Sequence, residues 1–183
     1  VHTEVLSQSG LDFLWYDLEH ADKSVETFAS LARASRVGDV DLLARPGRWE
    51  YMRMGRLLEA GALGIMYPRC ESADEAREVV RWSKFHPVGE RGFDGGSPDN
   101  NYGQYPAGDY TERANEETWI TAQIESPKAL ENVSEIASVE GVDCVFFGPG
   151  DYSALTGRPG DVKGKETLEA ARIIAEKTIA AGK

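Results

Sequence analysis

The sequence contains few histidines and cysteines and no long apolar run, and each shortage excludes a class of protein. Three histidines among 183 residues make a zinc site built from several imidazoles improbable. The two cysteines, Cys70 and Cys144, form no CxxC motif, which predicts buried thiols in a reducing cytoplasm, although one disulfide is an alternative. No apolar run approaches the ~18 residues of a membrane span, so we expect no membrane partner.

Positive charge is scarce as well. The chain carries 20 Lys and Arg against 31 Asp and Glu, a formal net charge of −11. An acidic surface repels nucleic acid and anionic membranes, so neither is expected as a partner. Since carboxylates are plentiful and imidazoles are few, any metal is expected to be bound mainly by oxygen.

Short apolar segments alternate with segments of helical spacing. This alternation predicts a parallel α/β sheet with right-handed crossovers, in one domain that covers residues 1–183. The periodicity alone leaves open whether the sheet is doubly wound or part of a barrel, but no GxGxxG follows the first strand, which argues against a dinucleotide fold. The predicted strands are Leu11–Asp17, Val40–Arg45, Leu63–Tyr67, Trp119–Glu125 and Asp143–Gly148. The predicted helices are Lys23–Arg36, Arg48–Ala60, Ala73–Lys84, Pro127–Val139 and Lys165–Ala180.

Local signals support several of these boundaries. Ser72 with Glu75 three residues later is typical of a capping box, and Ser126 followed by Pro127 is typical of a helix start. Gly61 and Gly141 stand where helix C-caps are expected. Residues 85–117 contain no strand and many Gly, Pro, Asp and Asn, but also several aromatics. We predict an ordered loop there that covers an active site or contacts another subunit.

Polar residues gather where the predicted strands end. Asp17, Glu19 and His20 follow the first strand, and Arg45 ends the second. The fourth strand ends in Gln123-Ile124-Glu125, and the fifth runs into Gly148-Pro149-Gly150-Asp151. The carboxyl ends of parallel strands form the active site both in barrels and in open sheets. The pattern therefore predicts an enzyme site at these ends.

Glu125 and Asp151 end neighbouring predicted strands, so their carboxylates can converge on one cation. Two carboxylates, completed by water and a chelating substrate, are the usual ligands of Mg²⁺ or Mn²⁺. The alternative is that each carboxylate caps the helix that follows it.

Arg45 and His20 are the other candidate catalytic residues. A guanidinium at a strand end can hold a carboxylate or an enolate oxygen, or it can form a rim salt bridge. His20 is the only histidine at a strand end, and with Asp17 beside it we interpret it as a general acid or base. No lysine lies at a strand end, which argues against a Schiff-base mechanism.

At these residues the sequence resembles the HpcH/HpaI aldolase family. The matching segments occur in family order over nearly the whole chain, which makes the resemblance specific. They are Asp17–Ala21, Ala44–Pro46, Leu57–Arg69, Ser72–Val80, Gly89–Gly92, Gln123–Ser126 and Gly141–Ser153.

The resemblance implies a TIM (β/α)₈ barrel of which this chain covers about strands 2 to 6, with the first, seventh and eighth strands outside it. It also implies a homo-oligomer, a hexamer in the family. Glu125 and Asp151 would bind Mg²⁺, Mn²⁺ or Co²⁺, and pyruvate would be held at the metal. Arg45 would stabilise the enolate and His20 would move protons, with Glu59 or Asp17 as the partner of His20. The pyruvate site implied by the resemblance consists of Gln123, Gly148, Pro149, Gly150 and Asp151.

The function that follows is a class II aldolase acting on pyruvate, or a close 2-oxo acid, and an aldehyde. Two alternatives remain: a malyl-CoA or citryl-CoA type lyase on the same barrel, and a non-catalytic barrel that binds an oxo acid. The first requires a basic surface for CoA, which this acidic chain does not clearly offer.

Overall fold

The computed structural model describes all residues from 1 to 183 as an α/β protein with five strands. Two compact units divide the chain. Unit 1 consists of Val1–Met66 and Arg81–Trp119, and unit 2 consists of Tyr67–Val80 and Ile120–Lys183. No helix combines the length and the apolar character that a membrane crossing requires.

Strands and helices alternate along the chain, as the sequence predicts. The strands are β1 (Phe13–Asp17), β2 (Asp41–Arg45), β3 (Gly64–Tyr67), β4 (Trp119–Ile124) and β5 (Cys144–Phe147). The helices are α1 (His2–Ser7), α2 (Val25–Ser35), α3 (Tyr51–Glu59), α4 (Ala73–Ser83), α5 (Ala107–Glu117), α6 (Pro127–Ala137), α7 (Pro149–Leu155) and α8 (Lys165–Ala180), and Pro98–Asn100 forms a 3₁₀ turn.

In unit 1 the register of the parallel strands positions the first group of candidate residues. β1 pairs with β2 so that Asp17 lies opposite Arg45, and β2 pairs with β3. The carboxyl ends of β1 and β2 therefore place a carboxylate and a guanidinium group side by side. Helices α2 and α3 cover this part of the sheet with fully buried Phe28, Met54 and Leu57.

In unit 2, β4 and β5 are parallel, with Gln123 opposite Phe146. Ile120, Ile124 and Ile136 form its core with α6. All observed neighbour pairs of strands within each unit are parallel, which agrees with the apolar character of the strands.

All ten predicted elements are present, with ends displaced by at most three residues. Ser126 caps α6 through a hydrogen bond from the Ala129 N–H (3.1 Å), and Ser72 accepts from the Glu75 N–H (3.2 Å) at the start of α4. Gly61 follows α3 with φ +107°, as a C-cap glycine does. Gly141 differs from the prediction, because α6 ends at Ala137 with Ser138 as its cap.

The 85–117 segment is ordered, but it contains the helix α5, which was not predicted. The Asn115 side chain pairs with the backbone of Phe85 at 2.6 and 3.0 Å and so ties α5 to the end of α4. Arg91, almost fully buried, pairs with Asp99, which also accepts a hydrogen bond from the Tyr110 hydroxyl (2.6 Å). These polar contacts hold the segment in place.

Within unit 1, part of this segment lines a cleft beside the sheet. The cleft is lined on one side by Arg91, Asp99 and Arg113 of the segment. Its other side includes Asp41, which begins β2, and Leu63, which precedes β3. The segment therefore lies at the amino ends of these strands, opposite to the ends that carry Asp17 and Arg45. A role as an active-site cover or in contacts between subunits remains a prediction.

Candidate active site

In unit 1, an ion-pair cluster occupies the carboxyl ends of β1 and β2. The guanidinium of Arg45 donates from Nε to Asp17 Oδ1 (3.0 Å) and from Nη2 to Oδ2 (2.6 Å). Its Nε also lies 3.5 Å from Glu19 Oε2, and its Cζ lies 4.6 Å from the centre of the Trp15 ring. Arg45 is buried, so a planar cation is fixed here by two acids and an aromatic face.

Asp17 is held in its ionised form by this arrangement. Burial by itself raises the pKa of Asp17, but the hydrogen bonds from Arg45 and from the backbone N–H groups of Glu19 and His20 outweigh it. The net effect is a pKa below the usual range. The Glu19 N–H donates to Oδ1 at 2.9 Å.

His20 lies at the exposed edge of the cluster, with 62% of its side chain accessible. Its Nε2 is 3.6 Å from Glu19 Oε2, whereas its contact with Asp17 is made by the backbone N–H, at 3.3 Å. The carboxylate close to the His20 imidazole is therefore that of Glu19, because the Asp17 carboxylate is hydrogen-bonded to Arg45.

Glu59 does not join this cluster within the chain. It ends α3, on the side of unit 1 where the strands begin. Burial raises its pKa, the Arg91 cation lowers it, and the carboxylates of Asp94 and Asp99 raise it further. Apart from Arg56 on the same helix, its electrostatic neighbours thus belong to the 85–117 segment, and none of them is His20.

In unit 2, the Glu125 carboxylate is buried at the end of β4, with 2% of the residue exposed. Oε2 accepts a hydrogen bond from the backbone N–H of Arg69 (2.8 Å), and Oε1 lies 3.4 Å from Gln123 Nε2. The carboxylate also packs directly on Gly148: a Cβ atom placed there would lie 2.0 Å from Oε1. Because Ser126 caps α6, Glu125 is not the cap of the following helix.

Asp151 lies in the first turn of α7, three residues after Gly148. The Gly148 N–H donates to the Ile124 carbonyl at 3.1 Å, which joins the start of α7 to the end of β4. No side chain caps α7. Both carboxylates thus belong to one corner of unit 2.

This corner suits a hard divalent cation. Its donors are the oxygens of Glu125, Asp151 and Gln123, the ligand type that Mg²⁺ and Mn²⁺ prefer. No group of three or more His, Cys, Asp and Glu side chains is in position to hold a metal ion. A cation bound here would therefore complete its shell with water and substrate, as Mg²⁺ commonly does.

Arg69 was not among the predicted site residues. It lies two residues after the end of β3, and this position close to a strand end was the signal that could have identified it. Both cysteines are free thiols, of which Cys70 is buried and Cys144 is half-buried.

Comparison with known proteins decides the family. The family model described as HpcH/HpaI aldolase/citrate lyase matches residues 2–183. The chain belongs to this family. Similar curated relatives are a hydroxypyruvate/pyruvate aldolase of Delftia acidovorans, 36% identical over 98% of this chain and 66% of its own, and an Escherichia coli 4-hydroxy-2-oxo-heptane-1,7-dioate aldolase, 34% identical over 91% and 63%.

Solved structures confirm the fold class. An HpcH/HpaI aldolase from Desulfitobacterium hafniense matches with a TM-score of 0.94 and 31% identity, over 99% of this chain and 70% of its own. The citrate synthase SbnG matches with a TM-score of 0.90 and 28% identity, over 100% and 70%. The chain thus has the parallel α/β fold of the TIM-barrel HpcH/HpaI proteins and spans slightly less than two thirds of the length of the curated relatives named above.

Proposed function

We propose that the protein is a divalent-metal-dependent aldolase that makes or cleaves the bond between a 2-oxo acid, such as pyruvate, and an aldehyde. Both curated relatives named above are aldolases, and the name of each includes a 2-oxo acid. The observation that carries the proposal is the buried Glu125 carboxylate. The Arg69 N–H and the Gln123 side chain orient this carboxylate, and it packs against Gly148 so closely that no Cβ atom would fit there. It caps no helix.

Glu125 and Asp151 would hold the cation, and Gln123 would orient the Glu125 carboxylate. When bound, the cation supplies Lewis-acid stabilisation of negative charge on the keto oxygen, worth several kcal/mol. The residues from Gly148 to Asp151, including Pro149 and Gly150, are proposed to bind the oxo acid beside it.

Arg45 is proposed to stabilise the enolate oxygen. Asp17 fixes two of its nitrogens, so the guanidinium needs no reorganisation when charge develops nearby. The same geometry also suits a rim salt bridge, and a lysine at this position separates the two roles because it keeps the charge and loses the planar fork.

His20 is proposed as the proton carrier. Glu19 Oε2 lies 3.6 Å from Nε2, so a carboxylate stands beside the imidazole that would accept and return the proton. The high exposure of His20 agrees with exchange of that proton with solvent or substrate.

A citrate-forming or citrate-cleaving reaction is the second candidate, favoured by the likeness to a citrate synthase.

An aldolase of the proposed type exchanges the methyl hydrogens of pyruvate with solvent even without an aldehyde, because enolisation is its first step. A protein that only binds an oxo acid does not catalyse this exchange.

The test is Mn²⁺ binding and pyruvate deuterium exchange in Glu125→Gln, Asp151→Asn and the double variant. Each change is nearly isosteric, so we expect normal folding, weakened Mn²⁺ binding and loss of exchange. The double variant should be no worse than either single one, since residues that act as a unit are non-additive. Glu131→Gln, an exposed change on α6, is the matched control. Wild-type exchange rates in both site variants would refute the proposal.

A further inference from the structure

The turn after β3 contains a partly buried guanidinium that forms no ion pair, unlike the two arginines compared with it below. Arg69 Nε is buried and has no hydrogen-bond partner. Arg91 and Arg158 also have a buried Nε without a partner, but their guanidinium groups form ion pairs with Asp99 and Glu166. No acidic side chain forms an ion pair with Arg69, whose one hydrogen bond is made by its backbone.

The backbone of Arg69 is fixed beside the candidate metal ligand. Its N–H donates to Glu125 Oε2 at 2.8 Å, and the next residue, Cys70, donates its N–H to the Gln123 carbonyl at 2.9 Å. Arg69 adopts φ +45°, in the left-handed region that an arginine rarely occupies. Such a conformation costs free energy, so the surrounding contacts must hold it in place.

An unpaired, partly desolvated cation is costly to a fold unless a ligand compensates it. The chain has an excess of carboxylates, yet it supplies none to this guanidinium. The planar fork of arginine matches a carboxylate in two parallel hydrogen bonds. The missing partner is therefore best supplied by an anionic substrate.

We infer that Arg69 binds a second carboxylate of the substrate, at the end remote from the 2-oxo acid group. The inference rests on the proposed function, which assigns the oxo acid group to Glu125, Asp151 and the turn before Asp151. Because those residues already bind the oxo acid group, the Arg69 guanidinium is available to bind the carboxylate at the other end of the substrate. The enzyme would accordingly prefer partners that carry a carboxylate over neutral ones.

The experiment measures binding instead of turnover. Two ligands share the oxo acid group and the five-carbon chain: 2-oxoglutarate ends in a carboxylate and 2-oxopentanoate ends in a methyl group. Calorimetric titration in the presence of Mg²⁺ should give about tenfold to a hundredfold tighter binding of 2-oxoglutarate by the wild type, the range of a well-placed charged hydrogen-bond pair.

Arg69→Met should bring this ratio close to one. The variant keeps the backbone N–H that holds Glu125, and Arg69→Gln provides a second test if the methionine variant is unstable. Arg77→Met is the matched control, because Arg77 is exposed on α4 and pairs with Asp74; the wild-type ratio should persist in it.

Equal affinities in the wild type, or an unchanged ratio in both Arg69 variants, would overturn the inference. The outcome is separable from the proposed function. A ratio that depends on Arg69 without any pyruvate exchange would support the carboxylate site and reject the aldolase. Exchange with no preference for 2-oxoglutarate would support the aldolase and reject this role of Arg69.

Discussion

Replacing Gly148 with alanine adds a methyl group where the Glu125 carboxylate packs on the backbone. The new Cβ would lie 2.0 Å from Oε1, 2.6 Å from Cγ and 2.7 Å from Cδ of Glu125. Ordinary contact begins at about 3.4 Å, so Oε1 has to move by about 1.4 Å, the difference between the two distances. Glu125 is buried and anchored at its other oxygen by Arg69, so it cannot rotate into solvent.

The displacement exceeds what a metal site tolerates. Metal–oxygen bonds of about 2.1 Å accept deviations of roughly 0.2 Å. We therefore expect Gly148→Ala to weaken Mn²⁺ binding by about tenfold to a hundredfold, the range seen when ligand orientation is lost. Overpacking should also lower the free energy of unfolding by about 1–3 kcal/mol, which for a chain of this size is roughly 2–12 °C in Tm.

Mn²⁺ titration followed by electron paramagnetic resonance measures the affinity, and thermal unfolding by circular dichroism measures the stability. Gly55→Ala is the control, because a Cβ there meets nothing within 4 Å and alanine is favoured inside a helix. It should leave metal binding unchanged and raise the stability by up to about 1 kcal/mol. A folded Gly148→Ala protein whose Mn²⁺ affinity stays within about twofold of the wild type would refute the placement of the cation at Glu125.

Three further perturbations follow from the two ion-pair clusters. Asp99→Asn removes the carboxylate partner of buried Arg91 and should lower the free energy of unfolding in urea by about 3 kcal/mol; a loss below about 1 kcal/mol would mean the pair is not structural. The pKa of Asp17 is lowered by folding, so its ionised form stabilises the protein above about pH 4, and this contribution is lost as the pH falls through the folded pKa. The stability difference between wild type and Asp17→Asn, followed by urea unfolding, should therefore vanish in acid; a constant difference from pH 7 to pH 3 would contradict it. Arg45→Lys should preserve Mn²⁺ binding but reduce kcat/KM by about 10²–10³; near-normal turnover would leave Arg45 as a rim salt bridge.

The sequence predicts the framework well because its signals are local. Apolar strands, caps such as Ser126 and the acids at strand ends depend on residues adjacent in the chain. The helix α5 was not predicted because it contains Gly108 and mostly polar residues, which do not give a helical apolar pattern. Contacts distant in sequence, such as that of Asn115 with Phe85, stabilise it. Tertiary contacts of this kind leave no periodic pattern in the sequence.

The candidate site shows the same division. The sequence places Asp17 and Arg45 at strand ends, but it offered Asp17 as a partner of His20, whereas the register of β1 and β2 puts Asp17 against Arg45. The contact of Arg69 with Glu125 joins positions 56 residues apart, through a backbone N–H that any residue type other than proline has. For that reason no pattern of residue types predicts the contact between Arg69 and Glu125. The place of Glu59 came from family resemblance, and the chain itself puts it among residues of the 85–117 segment.

The central claim is that Glu125 and Asp151 hold a divalent cation at which pyruvate loses a methyl proton. Its most direct test is incubation of the wild-type protein with pyruvate in deuterium oxide, followed by proton NMR of the methyl signal. The signal should decay when Mg²⁺ or Mn²⁺ is added, stop decaying with EDTA and resume when metal is restored. Decay at an equal rate in EDTA, or none with any divalent metal, would contradict the claim.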